Sequence, residues 1–132
     1  MMIPRHPLFT LLLLLPACGG ELPTPKAPGS EPAAAVVSDA QVKAQFDSVC
    51  FTCHGATGHG DGPGAGALNP KPRSFADAAW QASVTDEHIK KTIVFGGAAV
   101  GKTAQLPAHP HYKGNDAMLD GLVKIVRGFK AK

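Results

Sequence analysis

The stretch Ser38-Asp39-Ala40-Gln41-Val42-Lys43-Ala44-Gln45-Phe46-Asp47-Ser48-Val49-Cys50-Phe51-Thr52-Cys53-His54 decides the fold. Val42, Phe46 and Val49 recur at helical spacing and give one apolar face. Ser38 and Gln41 have the spacing of a capping box, and Val37 with Val42 that of a hydrophobic staple, so the helix is predicted to begin at Ser38. It runs directly into Cys50. Residues three apart on a helix are neighbours one turn apart, so Cys50 and Cys53 present their thiols on one side, with an imidazole next in the chain.

That spacing suits haem attachment. Each thiol can form a thioether with one of the macrocycle's vinyl groups, and His54 then lies beneath the iron as its proximal ligand. A zinc site normally takes four protein ligands, and no second cysteine pair completes one. A thioredoxin-like pair belongs in a βαβ setting, and a structural disulfide gives His54 no role. One covalently attached haem c, on Cys50, Cys53 and His54, is the expected cofactor.

Working outward, two more strong helices appear. Thr85 is an N-cap, Asp86 and Glu87 suit the positive end of the helix dipole, and Ile89, Ile93 and Val94 form a stripe that stops at Gly96-Gly97. The last helix starts near Asn115, with Met118, Leu119, Leu122, Val123, Val126 and Phe129 on one face and Lys124, Arg127 and Lys130 pointing away. A shorter helical turn is expected around Asp77 to Gln81. No segment has the alternating β-branched pattern of a strand, so the fold class is all-α. About 95 residues with few aromatics build only a thin core, and Phe46, Phe75, Trp80, Ile93, Leu106 and Leu122 are expected to pack around the macrocycle.

From the helix leading into the cysteine motif to the closing Val126-Arg127-Gly128-Phe129, this domain resembles the class I cytochromes c. The resemblance implies crossed first and last helices, with Phe46 at their contact. It also implies that the carbonyl of Pro63, nine residues after His54, accepts the free N–H of the proximal histidine. Asn69-Pro70-Lys71-Pro72-Arg73 and Trp80-Gln81-Ala82-Ser83-Val84-Thr85 resemble a bacterial subgroup. In that context Arg73 and Trp80 are candidates for holding a haem propionate, against a solvated charge and plain core packing respectively.

The pattern breaks at the sixth iron ligand. The family's methionine-proline pair corresponds to Leu106-Pro107, and leucine fills a methionine's volume without a lone pair for iron. The sixth position is then open or water-filled under Leu106, or filled by His109 or His111 from the same loop, or by Met118. His59 and His88 are expected to be exposed.

The N-terminal part reads as an address. Arg5 and His6 precede the apolar run Leu8 to Leu15, which is shorter than the ~20 residues a membrane span requires. Leu15-Pro16-Ala17-Cys18 resembles a lipoprotein signal, with residues 1–17 removed and Cys18 acylated; an ordinary cleaved signal with an incidental cysteine is the alternative. Residues 18–37 hold Pro23, Pro25, Pro28 and Pro32 and form an extended tether. The domain, 38–132, has eleven lysines and arginines against eight aspartates and glutamates. This modest balance permits docking on an acidic redox partner but lacks the clustered basic face that nucleic acid requires. These readings point to a one-electron carrier, lipid-anchored on the periplasmic side of the cell envelope, and not an enzyme. The alternative is a haem-based sensor or weak peroxidase with an open sixth iron position.

Overall fold

The computed structural model describes residues 36–130. The signal segment, Cys18 and nearly all of the tether lie outside the described residues. Among the described residues every regular element is helical. In chain order these are α1 (Asp39–Gln45), a π-helical segment (Phe46–Cys50), α2 (Phe51–His54), α3 (Ala78–Ser83), α4 (Asp86–Phe95) and α5 (Asp116–Gly128), with short 3₁₀ turns between them.

The capping box at Ser38 forms in both directions: its side chain accepts from the Gln41 N–H while the Gln41 side chain accepts from the Ser38 N–H. Val42 and Phe46 are the buried residues of the entry helix, and Val37 packs against the same core. The π-helical segment was not foreseen. It inserts a wider turn just where Cys50 enters, with the Phe51 N–H reaching back to the Phe46 carbonyl. Helix α2 ends at Gly55, whose φ of 74° lies in the region that favours glycine.

Thr85 caps α4 through the His88 N–H, and Gly96 stops it. Asn115 caps α5 through the Met118 N–H. The turn expected at Asp77 is a full helix, α3, because the Asp77 carboxylate caps both the Ala79 and Trp80 N–H groups.

Helices α1 and α5 cross at Gly121, where a Cβ would stand 2.5 Å from Val42 Cγ2. The Phe46 and Phe129 rings meet beside this crossing, with centroids 5.6 Å apart. Leu119, Leu122, Val123 and Val126 of α5 are buried against Ile89 and Val94 of α4. Two ion pairs, Lys90–Asp120 and Arg127–Asp86, link α4 and α5 at their surface.

A polar clamp holds α3 and the end of α4's approach to α5. Buried Gln81 donates to the Phe75 carbonyl at 2.7 Å and the Val126 carbonyl at 2.8 Å. Arg127 donates to the Gln81 carbonyl, the Gln81 side-chain oxygen and the Val84 carbonyl. Every polar atom of Gln81's amide is thereby partnered, which is the condition for burying it without a penalty.

Candidate haem site

Cys50 closes the π-helical segment and Cys53-His54 closes α2, so one continuous helical run carries all three groups. Both thiols are free and half-buried. Burial, and then the neighbouring Cys53, push the Cys50 thiol up to about 11.

The His54 ring is held from two directions. Its Nδ1 lies 3.1 Å from the Arg73 carbonyl oxygen. A carbonyl only accepts, so Nδ1 carries the proton and the Nε2 lone pair is left free. The ring also stacks on Phe75, with centroids 4.1 Å apart and 15° between the planes. Burial lowers the His54 pKa, opposed by the hydrogen bond to Arg73, so the imidazole stays neutral.

This corrects the expectation placed on Pro63. The backbone at Gly62 is drawn under α2, where the Gly62 N–H donates to the Cys53 carbonyl and the Gly64 N–H to the Thr52 carbonyl. A Cβ at Gly62 would meet the Phe51 and Thr52 carbonyl oxygens at 2.4 and 2.5 Å. Pro63 is exposed beside this turn. The Phe75 N–H bonds to the Gly58 carbonyl at 2.6 Å, two residues beyond the Arg73 carbonyl that meets the histidine.

The Arg73 side chain lies 3.4 Å from the Asp77 carboxylate, exposed at the rim. Trp80 is half-buried and stacks on Phe75 at 5.6 Å. Phe75 thus links His54 to Trp80 and, through its carbonyl, to Gln81, a role that sequence patterning did not single out.

The chain after α4 folds back on the end of that helix. The Gly97 N–H donates to the Leu106 carbonyl and the His109 N–H to the Ile93 carbonyl, each at 3.0 Å. Leu106 is half-buried, as is Met118, which packs on the core cluster. His109 is half-buried and edge-on to exposed His111, with ring centroids 5.8 Å apart. Burial, then the His111 charge, lower the His109 pKa. His59 and His88 are exposed, as expected.

Tyr112, also missed in the sequence reading, is 7% exposed, and its hydroxyl has no hydrogen-bond partner among the described residues. Burial, and then the nearby Cys50 sulfur, raise its pKa. Its place as the chain's single tyrosine, just ahead of a helix cap, was the available signal.

These features fit a haem: two free thiols a turn apart, an imidazole with its Nε2 lone pair free, aromatic side chains around it, and a buried hydroxyl with no acceptor among the described residues. Residues 40–124 match the sequence model of the cytochrome c family. The chain belongs to that family. It is a class I c-type cytochrome carrying covalently attached haem c. The solved structure of the KustC0563 c-type cytochrome is similar, at 32% identity over 68% of this chain and 96% of that one, with a TM-score of 0.53. Comparison with curated proteins finds no match. The residues that would hold the haem are Cys50 and Cys53, through their thiols, and His54, through its free Nε2; the group would supply a reversible one-electron couple. The polypeptide's part is to orient the imidazole, exclude water and present an edge to redox partner proteins.

Proposed function

We propose that this cytochrome is a monohaem one-electron carrier, lipid-anchored through Cys18 on the periplasmic side of the cell envelope, whose iron lacks a methionine on the face opposite His54. The observation that carries the electron-transfer reading is the doubly held His54. A ligand fixed by the Arg73 carbonyl and the Phe75 ring moves little when the iron changes charge, and small reorganisation favours fast electron exchange. The Pro-rich stretch between Cys18 and Ser38 supports a tether that gives the domain reach from the membrane surface.

Fractionation tests the anchor. Cys18→Ser is expected to move the haem protein from the membrane fraction to the soluble envelope fraction, and unchanged partition refutes lipidation. For the carrier role, the reduced protein should be reoxidised by an acceptor protein without consuming peroxide. Rapid peroxide turnover would refute it.

Leu106 favours a second reading, in which the sixth iron position is open and takes a small molecule. Mixing the reduced protein with carbon monoxide decides this: fast, complete binding supports the open site, and none means an internal ligand such as His109.

A further inference from the structure

We infer that Gln81 is the positioning residue for the iron's axial imidazole: its buried amide pins the segment whose Arg73 carbonyl and Phe75 ring hold His54. The inference deepens the carrier reading and rests on the held histidine that supports it.

Residues 71–74 belong to no helix, so no ladder of backbone bonds fixes their course. Phe75, which follows them, is tied at both of its backbone groups. Its N–H donates to the Gly58 carbonyl at 2.6 Å, and its carbonyl accepts from Gln81 Nε2 at 2.7 Å. The first tie joins the segment only to the loop that leaves His54. Gln81 supplies the tie to the helices. The same Nε2 donates to the Val126 carbonyl of α5 at 2.8 Å, and Oε1 accepts from Arg127 at 3.0 Å. Arg127 is anchored in turn on the Val84 carbonyl and the Asp86 carboxylate.

The ring of Phe75 is placed along with its backbone. It stacks on Trp80, the neighbour of Gln81 in α3, with centroids 5.6 Å apart, and lies against His54 at 4.1 Å. Gln81 itself is 6% exposed, and among the described residues no other polar or charged side chain is buried. A leucine would fill this volume with no amide to satisfy. What the amide adds is direction: two donated bonds to two carbonyls, one of them on the residue that faces the imidazole. Outer partners of a metal-ligating histidine set its ring angle, and Gln81 acts on that angle through segment 73–75.

The test uses the intact, haem-loaded ferric protein, with cyanide added to make the iron low-spin. Proton NMR then reads the solvent exchange of the His54 Nδ1 proton and the spread of the haem methyl resonances, which follows the plane of the axial imidazole. In Gln81→Leu the Nδ1 proton is expected to exchange about five-fold faster in D₂O, the equivalent of one lost neutral hydrogen bond, and the methyl spread to change. Gln81→Asn, with its amide one methylene short, should move both signals the same way by less, and it carries the test if the leucine variant does not accumulate. Ser38→Ala is the control, because it loses the α1 cap and some stability without touching segment 73–75. Both of its signals should match wild type. If the Gln81 variants lose stability and keep the wild-type signals, the amide is structural only and the inference is refuted, while the held histidine stands. Equal changes in Ser38→Ala would show that the signals follow stability alone, and refute it too. A wild-type Nδ1 proton with no protection from exchange would bring down the held histidine and this inference together. Neither signal depends on peroxide turnover, so failure of the carrier role is seen separately.

Discussion

Leu106 hangs from a backbone that needs no rearrangement to accept another residue: its carbonyl bonds the Gly97 N–H, and its side chain is only half-buried. Methionine has nearly leucine's volume, so Leu106→Met should fold without loss. The expected result is a low-spin ferric protein with a far-red sulfur-to-iron band and a higher reduction potential, read by absorbance and by potentiometry. A variant lacking the band would mean that the Leu106 side chain does not face the iron. Half-buried His109 contributes to the response to acid, whereas His54, held for the iron, would not titrate. Burial, then the His111 charge, lower the folded His109 pKa, whereas the unfolded chain takes up that proton near 6.5. As pH falls below 6.5 the unfolded state binds more protons, so stability declines, levelling off below the folded value. Guanidinium midpoints at pH 7.5 and pH 5 check the sign: a higher midpoint at pH 5 contradicts it.

At the scale of elements, the α1–α5 crossing depends on one missing side chain. Alanine at Gly121 gains up to ~1 kcal/mol of helix propensity but forces Val42 aside, and overpacking costs ~1–3 kcal/mol. Because the built Cβ stands 2.5 Å from a stiff, β-branched neighbour, crowding wins. Gly121→Ala should lose about 1 kcal/mol net, whereas Gly128→Ala, with nothing within 4 Å of its Cβ, should be neutral or gain a few tenths. Denaturant midpoints of the two variants measured side by side decide this. The caps at Ser38, Thr85 and Asn115 were legible because each is a local exchange within four residues. The π-helical segment was not, since it lengthens one turn without changing the apolar pattern on either side. Gln81 also escaped notice, because its partners Val126 and Arg127 lie 45 and 46 residues away.

For the whole molecule, the apolar core of Val42, Phe46, Phe75, Ile89, Val94, Leu119, Leu122, Val123 and Val126 is small for the loops it must order. The macrocycle is expected to complete it. Replacing both anchors, Cys50→Ser with Cys53→Ser, should therefore leave a largely unfolded chain. Far-UV circular dichroism reads the outcome: retention of most of the helical signal with a cooperative melt would show that the polypeptide core suffices.

The sequence by itself determined the all-α class and the helix starts, and it showed the Cys50-Cys53-His54 spacing and the leucine at position 106, because each rests on neighbours in the chain or on a fixed spacing along one helix. Only the tertiary structure decided which carbonyl steadies His54, that Phe75 stacks on it, and that Tyr112 is buried. Those contacts join segments whose separation in sequence carries no periodic mark. Their partners are chosen by how the loops close over the core, as when Phe75 bonds Gly58 and the Arg73 carbonyl meets His54.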